Sequence, residues 1–157
     1  ISNNHLCNEL INLYQNEGII AEPAGALSIC GLDYLDKESI ANKNIVCIIS
    51  GGNNDIMRYP EIIERSLKYQ NLKHYFIITF KQRPGELKKY VKNILTPDSD
   101  ITRFEYIKKN NKNAGSVLIG IELHKPEDIS IIKNNMISNN FDFIQLNEND
   151  LMYNYLV

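Results

Sequence analysis

The sequence predicts an α/β segment followed by an α+β ferredoxin-like sandwich of order βαββαβ, with the seam near Asn71. Three observations predict it. From Lys73 onward the apolar period alternates between two and 3.6 in that order. The run "NIVCII" at 44–49 is apolar on both faces, the mark of a parallel strand covered on both sides. On either side of that run, apolar stripes recur at helical spacing.

In order, residues 3–17 predict an amphipathic helix with Leu6, Leu10, Leu13 and Tyr14 on one face, Asn3 or Asn4 as cap and Gly18 as terminator. "AEPAGALSICGLDYL" predicts a second helix. Pro23 pushes Glu22 out of helical geometry, and Ala24, Gly25, Ala26 and Ser28 permit close backbone packing. After the strand at 44–49, a third helix is expected from Asp55 to about Tyr69, with Ile56, Tyr59, Ile62, Ile63 and Leu67 as its stripe. A strand without neighbours leaves its backbone groups unpaired. Residues 1–71 therefore read as the end of a larger α/β domain whose other strands lie upstream.

Residues 72–157 read as a complete second domain. "KHYFIITFK" (73–81) is a strand, and "RPGELKKYVKNIL" (83–95) a helix with Leu87, Tyr90, Val91, Ile94 and Leu95 on one face. "ITRFEYIKK" (101–109) and "SVLIGIEL" (116–123) alternate and should pair as a hairpin around the polar loop "NNKNAG". A helix over 125–140 turns Ile129, Ile132 and Met136 inward, and "FDFIQL" (141–146) is the last strand. The tail "NDLMYNYLV" either adds a short strand or frays.

Composition narrows the function classes. The 157 residues are 43% apolar and 23% charged with a net charge of −2, which gives no reason to expect nucleic acid or an anionic membrane surface as partner. No apolar run approaches the ~18 residues of a membrane span. Three cysteines without metal-type spacing point to a reducing cytoplasm. His5, His74 and His124 are scattered, so no metal is expected.

"EPAGA" at 22–26, followed by an apolar run ending in "SGGN" at 50–53, resembles the end of the catalytic domain of threonine dehydratase (threonine ammonia-lyase), a fold type II pyridoxal-phosphate enzyme. "QRPGELKKYV", "DITRFEYIKKNN" and "GSVLIGIEL" are similar to the ACT-like regulatory domain of the biosynthetic threonine dehydratases, in the short form with one such domain. The resemblance implies conversion of L-threonine to 2-oxobutanoate and ammonia, the first step toward isoleucine. It also implies pyridoxal 5'-phosphate in the full-length enzyme and a dimeric or tetrameric assembly. Members carry a Schiff-base lysine and a glycine-rich phosphate loop. No lysine here lies in such a context, so both are expected upstream of Ile1 and this portion alone is expected to be inactive.

Read alone, Ser50 caps the following turn. The resemblance implies instead that its hydroxyl meets the pyridine nitrogen of the cofactor, a neutral partner that makes the ring a milder electron sink than a carboxylate would. Gly51 and Gly52 would let backbone approach the ring, and Glu22 would lie near cofactor and substrate. Asn53 is expected to cap the third helix. At the strand–helix corner, Arg83, Pro84, Gly85 and Leu87 are candidate effector residues, because free N–H groups at a helix start can receive a carboxylate. Thr102 and Phe104 share a face with Tyr106 on the expected strand and could line the same site. The effector implied by the resemblance is isoleucine, with valine as a second candidate.

Two other readings stay open. One is a stand-alone amino-acid-binding or dimerisation module. The other is the regulatory end of a catabolic threonine dehydratase or a serine racemase-like enzyme, which "SGGN" fits as well.

Overall fold

The computed structural model describes residues 1–53, 55–107 and 113–157, which form two compact units, Ile1–Gln70 and Asn71–Val157. In the first unit the elements are α1 (Asn3–Glu17), α2 (Pro23–Cys30), a 3-10 turn over Gly31–Tyr34, α3 (Lys37–Ile40), a second 3-10 turn over Ile56–Arg58, and α4 (Tyr59–Tyr69). The cap of α1 is Ser2, not Asn3 or Asn4; its hydroxyl accepts from the His5 amide. Gly18, at φ 67°, ends the helix as expected, since it supplies the left-handed residue that this terminus requires. Cys7, Leu10, Leu13, Ala21, Ala26 and Ile62 form the core of this unit.

Beside that core lies a polar cluster. The Asn8 side-chain oxygen accepts from Ser66 Oγ at 3.1 Å and Gln70 Nε2 at 2.9 Å. The His5 ring stacks on Tyr69 with centroids 4.7 Å apart, and its Nε2 lies 3.2 Å from an Asp33 carboxylate oxygen.

The strand expected at 44–49 does not form. Those residues run without regular structure, and Val46 is 86% exposed. A strand needs a ladder, and no described segment of this unit offers one. The run is tied instead to α2: Ser28 Oγ donates to the Ile48 carbonyl at 2.9 Å, and Cys47 Sγ lies 3.6 Å from the Ser28 carbonyl. The third helix also differs in detail. Asp55, rather than Asn53, caps the turn at 56–58 by accepting from the Met57 amide. Along α4, Ile62 and Ser66 face inward while Ile63 is exposed, and Ile56, in the preceding 3-10 turn, is exposed as well.

The second unit contains β1 (Lys73–Lys81), α5 (Glu86–Asn93), β2 (Asp100–Tyr106), β3 (Ala114–Glu122), α6 (Asp128–Ser138), β4 (Phe143–Leu146) and α7 (Leu151–Leu156). The sheet order is β2-β3-β1-β4, with every pairing antiparallel. Order and connectivity are those of a ferredoxin-like sandwich. The expected strand end at 108–109 and the start of the loop "NNKNAG" lie outside the described residues, while Ala114 and Gly115, expected in the loop, belong to β3.

One sheet face packs under α5 and α6. Phe76, Ile78, Phe80, Val117, Ile119 and Ile121 meet Tyr90, Ile94, Ile129, Ile132 and Met136 there. Leu87 and Val91, expected on the buried face of α5, are exposed; Glu86 takes the inward position one turn before Tyr90. The opposite face carries Tyr75, Leu118 and Leu146. The tail neither pairs nor frays: it forms α7, and Tyr153 packs edge-on against Tyr75 at 5.9 Å. No helix among the described residues is long and apolar enough to cross a membrane.

Candidate functional site

Two motifs distant in sequence meet in the first unit. Pro23 at the first position of α2 holds Glu22 extended, at φ −75° and ψ 162°, so its backbone N–H points away from the helix. That N–H donates to the Gly51 carbonyl at 2.7 Å. Gly51 is left-handed at φ 75°, and a Cβ there would lie 2.6 Å from Glu22 Oε1. Around Gly52 a Cβ would meet nothing within 4 Å. Ser50, Gly51 and Glu22, all predicted as cofactor residues, are thus brought together. The sequence marks Gly25 only as a packing residue, yet it lies directly under Ser50.

The chemistry of this corner suits a polar ring approached from its edge. The Ser50 and Gly51 positions are exposed, Glu22 is half-buried, and neither side-chain oxygen group has a hydrogen-bond partner among the described residues. A hydroxyl free to donate or accept, beside backbone with no side chain in the way, fits the pyridine nitrogen of pyridoxal phosphate.

The second candidate is the corner between β1 and α5. Gly85 is left-handed at φ 87° and turns the chain into the helix, and its carbonyl accepts from the Lys89 amide at 2.9 Å. Arg83 Nε donates to Glu86 Oε2 at 2.6 Å. Glu86 is only 7% exposed, whereas the Arg83 side chain is 61% exposed. The buried carboxylate fixes one edge of the guanidinium and leaves the remainder facing outward. Sequence reasoning misses Glu86, although its three-residue spacing from Arg83 is the signal of such a pair. Leu87, exposed on the same turn, adds an apolar neighbour.

Thr102 and Phe104 do not share a face. Ile101 pairs with Ile121 and Arg103 with Gly120, so Thr102 is the extra residue of a β-bulge. The bulge breaks the alternation. Phe104 and Tyr106 stand beside Phe80 at 6.3 and 6.4 Å, on the helix-covered side. Thr102 Oγ1 instead lies with Tyr75 above Gly120, on the other side.

That other side also carries a groove of about 600 Å³ lined by Ile77, Leu118, Ile144, Met152 and Leu156, with Glu105 and Ser116 at polar positions. Arg103 and Glu105 pair at 2.7 Å. Cys7 and Cys30 are buried free thiols, and burial pushes both up from their ordinary range. Among the described residues no group of three or more histidine, cysteine or acidic side chains could hold a metal ion.

A family model described as the C-terminal regulatory domain of threonine dehydratase matches residues 64–156. A biosynthetic L-threonine dehydratase IlvA from Halalkalibacterium halodurans is 49% identical over 152 residues, which cover 97% of this chain and 36% of the relative. Proteins of the same name from Staphylococcus saprophyticus and Staphylococcus aureus are each 47% identical, over 152 and 154 residues, with the same coverage. The chain therefore spans little more than a third of the length of the curated relatives it matches.

Proposed function

The chain belongs to the family of the C-terminal regulatory domain of threonine dehydratase, and on that premise we propose that it is the regulatory end of an enzyme converting L-threonine to 2-oxobutanoate and ammonia. Residues 72–157 act as the sensor of a branched-chain amino acid, isoleucine first and valine second. Residues 1–71 form the end of the catalytic domain. The observation that carries this reading is the coincidence of the family match over 64–156 with a complete four-stranded sandwich in the second unit. Identity to the biosynthetic enzymes along nearly the whole chain supports the reading for the first unit and favours it over a free-standing module.

Pyridoxal phosphate, when bound, supplies the electron sink for the charge left as an amino acid loses its α-proton. The residues of this chain hold and orient. The Ser50 hydroxyl would meet the pyridine nitrogen, Gly51 and Gly52 would keep side chains out of the approach, and Glu22 stands at the edge of the same turn, its backbone fixed to Gly51. At the other corner, Arg83 offers its exposed guanidinium edge to an effector carboxylate, with Pro84 and Gly85 setting the turn and Leu87 beside it. Thr102 and Phe104, split by the bulge, have no joint part in that site. The enzyme works in the cytoplasm as a dimer or tetramer, a reading supported by its free cysteines and the apolar groove on the open sheet face.

The test is the release of 2-oxobutanoate from L-threonine by the full-length enzyme, with and without isoleucine. Turnover that isoleucine alters supports the proposal; turnover indifferent to both isoleucine and valine overturns the sensing role.

A further inference from the structure

We propose that Gly25 is a positioning residue for the Ser50 turn: the missing side chain on α2 seats the backbone of residue 50 and so sets where its hydroxyl is held. The proposal rests on reading Ser50 as a cofactor residue. A Cβ at Gly25 would lie 2.8 Å from the Ser50 nitrogen, 2.9 Å from its carbonyl carbon and closer still to its carbonyl oxygen. All three obstacles are backbone atoms, so no rotamer change relieves the clash. The turn itself would have to move.

Three anchors lie in and just before α2. Gly25 and Ser28, three residues apart, share one side of the helix, and Glu22, extended as its N-cap, adds a backbone N–H ahead of them. Glu22 holds the Gly51 carbonyl at 2.7 Å, Gly25 takes the Ser50 backbone in contact, and Ser28 Oγ holds the Ile48 carbonyl at 2.9 Å. The segment from 48 to 51 is thereby laid along α2, although it has no strand partner among the described residues. Gly25 sits within a helix, buried and without a positive φ, where glycine costs stability relative to alanine. Conformation does not require it there; the close approach does. At Gly31, which follows the same helix, an added Cβ would meet nothing within 4 Å, so that position provides a matched control.

The experiment compares Gly25→Ala, Gly31→Ala, Ser50→Ala and the double variant Gly25→Ala/Ser50→Ala in the full-length enzyme. It reads pyridoxal-phosphate affinity, the absorbance of the bound cofactor, and amide exchange at Glu22 in cofactor-free protein. Gly25→Ala is expected to weaken cofactor binding at least tenfold, shift the absorbance and speed exchange at Glu22. Gly31→Ala should match the parent, and the double variant should be no worse than the worse single one, because both act through one hydroxyl. Parent-like affinity, absorbance and exchange in Gly25→Ala, with Ser50→Ala impaired, overturns the proposal alone. A parent-like Ser50→Ala overturns the reading of the turn and the proposal with it. If Gly25→Ala does not fold, Ser28→Ala carries the test, since it loosens the same seat without adding volume. Faster Glu22 exchange with severalfold weaker cofactor binding supports the proposal, and parent-like behaviour overturns it.

Discussion

The backbone N–H of Glu22 and the carbonyl of Gly51 are joined by a 2.7 Å hydrogen bond. Through it, two motifs that look independent in the sequence become one corner, with the Ser50 hydroxyl presented at its surface. The first prediction follows from that exposure. Ser50→Ala in the full-length enzyme should lower turnover of L-threonine by more than about tenfold, the scale of one well-placed hydrogen bond to a charged or reacting group. Melting of the cofactor-free protein should be unchanged, because the lost hydroxyl has no partner among the described residues. Normal turnover with a normal cofactor spectrum would remove Ser50 from the site.

Tyr90 gives a prediction about stability. Its side chain is fully buried, its hydroxyl has no hydrogen-bond partner among the described residues, and burial drives its pKa strongly upward. A buried hydroxyl left unpaired costs about 1–3 kcal/mol. Tyr90→Phe keeps the ring packing on Phe80 and Phe141 and removes that cost. The melting transition of the second unit should rise by several degrees, at roughly 4–8 °C per kcal/mol for a domain of this size. A fall in melting temperature would mean that the hydroxyl is satisfied in solution.

His74 sets a pH dependence. Its Nε2 lies 2.9 Å from the Asn71 carbonyl, which only accepts, so the proton sits there. Nδ1 faces the Gln145 amide at 3.2 Å and accepts from it. Burial lowers the pKa from the ordinary 6.5; the Asn71 bond opposes this, and Lys133 adds to the lowering. Because the folded value is depressed, the unfolded chain takes up the proton first. Stability from this group is complete above about pH 6.5 and is lost as pH falls toward the folded value. Denaturant titrations from about pH 7.5 down to about 5.5 should show a decline that His74→Gln flattens. An equal slope in the variant would assign the decline elsewhere.

Arg83 carries the prediction for the effector corner. Arg83→Ala should raise the isoleucine concentration for half-maximal response by about tenfold, the size of one lost charge-assisted contact. Activity without isoleucine should be retained, because among the described residues the Arg83 side chain pairs with Glu86 on its own turn and its amide with the Lys81 carbonyl. An unchanged response would move the effector away from this corner.

Much of the second unit is legible in the sequence because its strands and helices carry their own partners. β1 and the inward residues Ile129, Ile132 and Met136 follow directly from period and burial. What fails there depends on single insertions and on neighbours. The bulge at Thr102 reverses the facing of residues on either side, and no alternation in "ITRFEYIKK" marks it. Glu86 replaces Leu87 on the buried side of α5 because pairing with Arg83 lets a carboxylate sit there. In the first unit, the apolar run at 44–49 reads as a strand, yet a strand exists only where another can pair with it. Its fixing to α2 through Ser28 and Gly25 is a tertiary fact that composition does not carry. The motifs at 22–26 and 50–53 are visible as motifs, and only the structure joins them through Glu22 and Gly51.

The most direct test of the sensing role is calorimetric titration of isoleucine into the full-length enzyme and into a version ending near Asn71, with and without a saturating substrate analogue. Coupling between two sites is reciprocal and runs to about 1–3 kcal/mol, or about 5- to 150-fold in affinity. The full-length enzyme should bind isoleucine, the analogue should shift that affinity within this range, and the shortened enzyme should show no isoleucine heat. Isoleucine binding to the shortened enzyme with the affinity and response of the whole would contradict it.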